Sequence, residues 1–246
     1  MLHPKCLFPQ YRNAIKELNT IDKASIQNNK FCLFSDTNSQ IYYAPHNEYI
    51  NENAKILIVG ITPGWSQTQR AYQVAQTTIL QGFTDEQVCY QCKMESRFAG
   101  SMRKNLIAML DELLLSEKLN IPSCVELFKL ENTLLHTTSL IKYPFFYKGK
   151  NYSGYAPSIG SSSVLRQCVE TLFVEELNCL KDVRLIIPLG TAVEQILRES
   201  HIMPQCNVLW GFPHPSGLNA HRKDLFNQHY ESMLSILEKS DFGGCI

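Results

Sequence analysis

A histidine between two prolines is the residue of this sequence best suited to chemistry. His214 lies in the stretch FPHPSG of residues 212–217, directly after a short apolar run. Because proline restricts its own backbone torsion, the prolines on either side leave the imidazole little freedom. A donor held in this way suits a reaction in which negative charge develops beside it. A histidine that only packs or caps is the alternative.

A second candidate is the loop GITPG of residues 60–64. Gly60 and Gly64 allow a tight turn or a close approach to a ligand, and Pro63 restricts the path. It is not a phosphate-binding P-loop, because no Lys-Ser/Thr pair follows it, and it lacks the third glycine of a dinucleotide fingerprint. An ordinary turn between a strand and a helix is the alternative.

A third candidate is the end of the apolar stretch LLHTTSLIKYPFF of residues 134–146. Its hydroxyl residues Thr137, Thr138 and Ser139 could bind a polar ring. They could equally satisfy backbone groups nearby.

Four short apolar runs predict the strands that position these loops. They span residues 56–59, 134–141, 185–189 and 208–212. Helical patterns lie between and after them, in residues 101–118, 162–180, 191–198 and 220–238. This alternation predicts an α/β fold with three αβα layers and a central four-stranded, mostly parallel sheet in a single domain.

In such sheets, ligands bind at the carboxyl ends of the strands. We therefore expect the loops after Val59, Ile141, Leu189 and Phe212 to share one edge of the sheet. Residues 1–50 are predicted to be a helical and irregular extension packed on the core, which comprises residues 51–246.

The composition narrows the functional class. The chain has 246 residues with 23 basic and 23 acidic side chains, which argues against a protein that coats or packages DNA. The sequence contains no run of about 18 apolar residues, so no membrane span is predicted. The first residues do not resemble a signal peptide. A cytoplasmic location is expected.

The nine cysteines are expected to be reduced, because their number is odd and no secretory signal is found. They are residues 6, 32, 89, 92, 124, 168, 179, 206 and 245. The pair Cys89 and Cys92 forms half of a zinc site, without the second pair that zinc requires, and is interpreted as structural.

The loops GITPG and HPSGLN together resemble the signature pair of the uracil-DNA glycosylase superfamily. Further phrases follow in the family's order: RFAG at 97–100, SLIK at 139–142 and LIIPLGTAVEQIL at 185–197. The resemblance covers about residues 54–240. It implies an enzyme that flips a pyrimidine nucleotide out of DNA and hydrolyses its glycosidic bond, leaving an abasic site.

The resemblance also implies roles for individual residues. His214 would stabilise the leaving base, and Thr62 stands where the family activates water. Leu218 would be the wedge that fills the vacated space in the duplex. The residues implied to bind the flipped nucleotide are Gly60, Ile61, Pro63, Gly64, Phe98 and Ser139. Those implied to contact DNA are Lys142, Ser216, Gly217, Leu218, Asn219 and Arg222.

No metal or redox cofactor is implied, and a monomer without membrane contact is expected. The iron–sulfur branch of the family is excluded, because Tyr143 follows Lys142 where that branch has a cysteine, and because no amino-terminal C-x2-C is found.

Two positions depart from the family. Thr62 replaces an Asp or Asn and cannot act as a general base near neutral pH. Ser139 replaces the Asn that reads uracil and lacks its paired donor and acceptor. These changes favour a modified or bulky pyrimidine as well as uracil, in DNA repair or in defence against phage.

Two other functions stay open at this point. Thr62 also fits a catalytically impaired member that binds DNA or a modified base without cleaving it. An unrelated α/β hydrolase is the third possibility, although the sequence contains no G-x-S-x-G nucleophile elbow.

Overall fold

The structure is a computed structural model that describes residues 1–200 and 206–243. Cys245, one of the cysteines expected to be reduced, lies outside the described residues. The chain forms two compact units. Unit 1 comprises Met1–Ile50, Ile61–Ala99 and Ser139–Cys179, and unit 2 comprises Asn51–Gly60, Gly100–Thr138 and Leu180–Ile246.

The described residues form eight strands and ten α-helices. The strands are β1 (Cys32–Ser35), β2 (Ser39–Tyr42), β3 (Ile56–Gly60), β4 (Leu135–Ser139), β5 (Phe145–Tyr147), β6 (Lys150–Asn151), β7 (Leu185–Pro188) and β8 (Asn207–Val208). The α-helices are α1 (Phe8–Lys16), α2 (Lys23–Ile26), α3 (Trp65–Leu80), α4 (Asp85–Ser96), α5 (Ser101–Glu112), α6 (Leu115–Lys118), α7 (Ser163–Gln167), α8 (Val174–Asn178), α9 (Thr191–Ser200) and α10 (Arg222–Lys239).

Unit 2 is built on a four-stranded sheet with the order β4-β3-β7-β8. Strand β7 runs parallel to both of its neighbours, with Ile56 opposite Leu185 and Ile186 opposite Val208. Every residue of β3 is buried, as expected for a continuous apolar run inside a parallel sheet. The predicted α/β class with a four-stranded, mostly parallel sheet is confirmed.

The last strand is shorter than predicted. It covers Asn207–Val208 rather than residues 208–212. After it the backbone turns, because Trp210 N–H donates to the Val208 carbonyl at 2.9 Å and Gly211 has φ +86°. A side chain at Gly211 would lie 2.6 Å from the ring of His229, so only glycine fits this turn.

Three other predicted elements differ in their bounds. Strand β4 ends at Ser139 rather than at residue 141. The helix predicted over residues 101–118 is divided into α5 and α6 by Leu114, which has the left-handed φ of +60°. The helix predicted over 162–180 consists of α7, a π-helical turn (Cys168–Phe173) and α8.

Unit 1 contains an antiparallel sheet that the sequence did not predict. Its order is β1-β2-β5-β6, with Gln40 of β2 opposite Phe146 of β5. Residues 1–50 contribute β1, β2, α1 and α2, and α1 packs against α3 and α4. The amino-terminal fifth of the chain is therefore an integral part of unit 1.

Among the described residues, none of the helices combines the length and apolar character that crossing a bilayer requires.

Candidate functional site

The tautomer of His214 follows from one hydrogen bond in unit 2. The backbone N–H of Ser216 donates to Nδ1 of His214 at 3.3 Å. When Nδ1 accepts a hydrogen bond, the proton of a neutral imidazole is on Nε2. Desolvation by burial lowers the pKa of His214 below its ordinary value, which favours this neutral form. The ring therefore offers one N–H donor, at Nε2.

Side chains of unit 2 hold the backbone around His214 in place. Asn219 Nδ2 donates to the His214 carbonyl at 3.2 Å, and Asn105 Nδ2 donates to the Pro215 carbonyl at 2.8 Å. Arg222 Nη1 donates to the Ser216 carbonyl at 2.9 Å. We call residues 212–219 the His214 loop. Its rigidity comes from these amide and guanidinium contacts as well as from the prolines.

This arrangement refines the prediction for Arg222. The sequence-based expectation assigned it to DNA, but its guanidinium donates to loop carbonyls in the structure. It shapes the His214 loop from the first residue of α10, and a phosphate contact remains a prediction. Asn105 had no signal in the sequence, because an Asn on an amphipathic helix is unremarkable.

Gly190 lies directly beneath His214. Its N–H donates to the Phe212 carbonyl at 2.9 Å, and its φ of +89° is in the left-handed region. A Cβ at this position would lie 3.0 Å from Cβ of His214. Both the backbone conformation and the close approach require glycine. The loop between β7 and α9 therefore fixes the position of His214.

The tip of the His214 loop exposes a large apolar side chain. Leu218 is 96% exposed, and its N–H donates to Ser216 Oγ at 3.2 Å. Gly217 beside it has open space around its Cα. An exposed leucine at the tip of a braced turn has no folding role, and it has the chemistry of a group that inserts between stacked bases.

Thr62, in unit 1, is already occupied by hydrogen bonds. Its buried hydroxyl donates to the Tyr143 carbonyl at 3.0 Å and accepts from the Phe145 N–H at 3.0 Å. A hydroxyl has one proton, so none remains to orient a water by donation. Thr62 can therefore contact a water only through its remaining lone pair, its role in handling water stays a prediction, and its hydroxyl fastens the chain that follows β4.

The rest of the GITPG loop joins β3 to α3. Gly60 is the last residue of β3, and Gly64 caps α3 with its N–H donating to Gln67 Oε1 at 3.2 Å. Ile61, which the resemblance places at the nucleotide, is buried, and its carbonyl accepts from Ile141 N–H at 3.0 Å. Pro63 lies between Thr62 and the cap, where it directs the chain into the helix.

Ser139 is the last residue of β4 and is buried. We call residues 139–145 the Ser139 loop. In unit 1 this loop is fastened by Ile61 and Thr62 through the bonds to Ile141, Tyr143 and Phe145. The structure therefore brings the Ser139 loop together with the GITPG loop, as the sequence predicted for two loops at strand ends.

Lys142, which the resemblance assigned to DNA contact, is buried and paired with a carboxylate. Its side chain is 1% exposed, and Nζ pairs with Oε2 of Glu48 at 2.6 Å. Tyr143 donates its hydroxyl to the other oxygen of Glu48 at 2.9 Å. The predicted contact of Lys142 with DNA is wrong, because a buried, paired ammonium cannot reach a phosphate. The sequence did not reveal the partner, which lies 94 residues earlier.

Phe98 has an unusual backbone for its residue type. Its φ is +50°, and the Ala99 N–H donates to the Ser96 carbonyl at 3.0 Å, which closes a tight turn after α4. Its side chain is 4% exposed. A bulky residue in the left-handed region is strained, and such strain often marks positions where side-chain direction matters. Its stacking on a base remains a prediction.

Cys89 and Cys92 both lie in α4 as buried free thiols. Burial raises the pKa of each thiol, which suppresses the thiolate that metals bind. Within residues 1–200 and 206–243, no group of three His, Cys, Asp or Glu side chains is arranged to hold a metal ion.

Comparisons with known proteins identify the family. A model of the uracil DNA glycosylase superfamily matches residues 48–238. The uncharacterized protein YoxB of Bacillus subtilis (strain 168) is 42% identical over 218 residues, which cover 87% of this chain and 85% of that protein. A crystal structure of wild-type Pedobacter heparinus SMUG2 is similar at 12% identity and a TM-score of 0.45, with 94% of this chain and 98% of that chain covered. Because the family model spans well over half of the residues, the chain belongs to the uracil DNA glycosylase superfamily.

Proposed function

We propose that this protein is a monofunctional DNA glycosylase that releases a pyrimidine base, either uracil or a modified or bulky pyrimidine, and leaves an abasic site. The observation that carries the proposal is the state of His214. Its Nδ1 is occupied by the Ser216 N–H, so a neutral imidazole presents Nε2–H as a fixed donor. Such a donor matches the charge of a departing base.

In the proposed reaction, water attacks C1′ of the deoxyribose while the bond from C1′ to the base nitrogen breaks. The bonding electrons leave with the base, and the sugar becomes transiently positive. His214 Nε2–H donates to an oxygen of the departing pyrimidine and stabilises its negative charge. The water oxygen becomes the new hydroxyl on C1′, and its proton passes to solvent or to the released base.

Thr62 has no proton to offer and is not basic, so the proposed rate acceleration rests on stabilising the leaving base. The resemblance places Asp or Asn at that position, and the proposed reaction proceeds without a carboxylate there. Ser139, one hydroxyl in place of an amide, is proposed to accept pyrimidines whose substituents a longer side chain would block.

DNA contacts are proposed from each unit. Leu218, together with Ser216, Gly217 and Asn219 of the same turn in unit 2, is proposed to meet the duplex, with the exposed leucine as the wedge. Phe98 in unit 1 is proposed to stack on the flipped ring. Gly60, Ile61, Pro63 and Gly64 are proposed to lie along the nucleotide.

A base-excision panel tests this function. Duplexes that carry uracil, thymine, 5-hydroxymethylcytosine or a glycosylated cytosine are incubated with the protein, and abasic sites are then cleaved with alkali. We expect product from at least one duplex and its loss in His214→Ala. Equal signals from wild type and His214→Ala on every duplex would refute the proposal.

The occupied hydroxyl of Thr62 also favours a second candidate, a catalytically impaired member that binds DNA or a modified base without cleaving it. That candidate predicts binding to a duplex without base release by wild type. It also predicts that Thr62→Asp, which keeps the acceptor for the Phe145 N–H, gains uracil release. Activity of the wild type would reject it.

The released base also distinguishes the proposed settings. Release of uracil favours DNA repair, and release of a hypermodified pyrimidine favours defence against phage. We propose that the protein acts as a cytoplasmic monomer, and sedimentation of the purified chain would test the oligomeric state.

A further inference from the structure

We propose that Asn47 is a positioning residue that fixes the separation between Phe98 and Ser139 and thereby tunes which pyrimidine is accepted. This inference rests on the proposed function and adds a specificity-determining residue to it. Asn47 lies outside every motif of the sequence analysis, in the 3-10 turn Pro45–Asn47 of unit 1.

The side-chain amide of Asn47 joins two segments of unit 1. Its Nδ2 donates to the Lys142 carbonyl at 2.9 Å, and its Oδ1 accepts from Lys93 Nζ at 2.9 Å. Asn47 and Lys93 are both almost completely buried. The amide orientation is fixed by chemistry, because an ammonium only donates and a carbonyl only accepts.

The first of these segments leads to Phe98. Lys93 lies in the last turn of α4, and its carbonyl accepts from the Arg97 N–H at 3.2 Å. The next residue is Phe98, whose tight turn is closed by the bond from Ala99 to Ser96. The ring is therefore attached to the end of α4 with little freedom.

The second segment leads to Ser139. Lys142 is three residues further along the Ser139 loop, and Ile141 between them is held by the Ile61 carbonyl at 3.0 Å. Glu48, next to Asn47, pairs with the ammonium of the same Lys142. The residues Asn47 and Glu48 therefore hold both the backbone and the side chain of Lys142.

The consequence concerns selectivity rather than catalysis itself. A base that stacks on Phe98 can contact Ser139 with its edge only if the two residues are the right distance apart. That distance depends on where the Ser139 loop is held. Displacements of about 1 Å between binding groups change rates by up to about a hundredfold. The amide of Asn47 bridges the two segments directly, so its bonds set that distance.

Asn47→Asp tests this inference. The aspartate keeps the size of asparagine and the acceptor for Lys93, but it loses the donor to the Lys142 carbonyl. Asn51→Asp is the matched control: Asn51 also donates its amide to backbone carbonyls, those of Thr133 and Leu135, near the start of β4. Asn47→Leu is a second variant that removes both bonds.

The measurement is the ratio of kcat/KM on two duplexes that carry the best and the second-best base. Where a rate is undetectable, the detection limit is used as its value. An unfolded fraction lowers both values equally and cancels in the ratio, so a merely structural role does not move it. We expect the ratio to change on the order of tenfold in both Asn47 variants and to stay unchanged in Asn51→Asp.

Two outcomes overturn the inference in distinguishable ways. A wild type that releases no base from any duplex refutes the proposed function and this inference with it. A wild type that releases a base, while the ratio is the same in wild type and in both Asn47 variants, refutes only the role of Asn47. A change of equal size in Asn51→Asp does the same.

Discussion

His214 acts in the proposed reaction as a neutral hydrogen-bond donor, and its surroundings explain why. The Ser216 N–H occupies Nδ1, and burial of the ring lowers its pKa. A neutral donor stabilises a developing anion without first transferring a proton to it. The charge state of this ring can therefore be used to test the proposed role of His214 directly.

The pH dependence of kcat follows from this charge state. The ordinary pKa of histidine is about 6.5, and the pKa of His214 lies below it. The ring is therefore neutral throughout the range above about pH 6.5, and we expect a single-turnover rate that is flat there. A rate that rises with falling pH around a midpoint above that value, and loses this rise in His214→Gln, would contradict the neutral donor.

Leu218 gives a second prediction for one residue. Leu218→Ala removes an exposed wedge that contributes nothing to folding, so the thermal unfolding midpoint should not change. Unstacking a base step costs a few kcal/mol, so we expect excision from a duplex to fall by about tenfold or more. Excision from single-stranded DNA, which needs no wedge, should be unchanged. Equal losses on both substrates would rule out this role.

The sequence identified His214 from its local context, because the flanking prolines are visible in the neighbouring letters, whereas Leu218 was implied by the resemblance to the family. The surroundings of Thr62 and Lys142 were not visible in the sequence for the opposite reason. Their partners, Tyr143 for the hydroxyl and Glu48 for the ammonium, lie 81 and 94 residues away along the chain. No local pattern shows whether a polar group is exposed or already satisfied.

At the scale of elements, the turn between β7 and α9 positions the histidine. Gly190→Ala would place a Cβ against His214 and strain a backbone with φ +89°. Gly82→Ala is the matched control, because Gly82 has φ +81° but an added Cβ would meet nothing within 4 Å. Both variants should lose about 1 kcal/mol of stability or more.

We expect kcat to fall in Gly190→Ala alone, because the added methyl displaces His214 from the leaving base. Single-turnover rates at saturating enzyme, compared at equal folded fraction, make the measurement. Equal rates in the two glycine variants would show that the turn does not position the histidine.

The buried pair of Lys142 and Glu48 joins the Ser139 loop to the end of the 3-10 turn Pro45–Asn47 in unit 1. Lys142→Met leaves Glu48 charged and uncompensated, which should lower the free energy of unfolding by about 3–5 kcal/mol. The double variant Lys142→Met/Glu48→Gln should recover most of this loss, because the glutamine is neutral and still accepts from Tyr143. Urea titration measures both values.

A surface pair serves as the control for that experiment. Lys129 and Glu126 approach to 2.7 Å, but both side chains are about a third exposed or more. Lys129→Met should lower the free energy of unfolding much less than Lys142→Met, because water screens an exposed pair. If Lys142→Met costs no more than Lys129→Met, the buried pair does not hold the loop.

The elements differ in how well the sequence predicted them. Strands β3 and β7 were visible because buried parallel strands are continuous apolar runs, as ILIVG in β3 is, whereas the run predicted for the last strand shares only Val208 with β8. The antiparallel sheet was not visible, because β1 and β2 are four-residue strands of mixed character. Strand β2 also pairs with β5, more than a hundred residues later.

At the scale of the whole molecule, the chain passes between the two units at the ends of strands. It enters unit 1 after Gly60, the last residue of β3, and again after Thr138, at the end of β4. The GITPG loop and the Ser139 loop begin at these crossings, whereas the His214 loop lies within unit 2. Residues 1–50, predicted as an extension, supply Asn47 and Glu48 to unit 1, so truncating them would remove the partners of Lys142.

The most direct test of the central claim is base release by wild type, His214→Ala and His214→Gln on the same panel of duplexes. We predict that the wild type converts at least one pyrimidine into an abasic site. His214→Ala should lose about a hundredfold to a thousandfold in kcat, and His214→Gln, which retains an N–H donor, should fall between them. An outcome in which all three proteins release the same bases at the same rate, or in which none of them releases any base, would contradict the account.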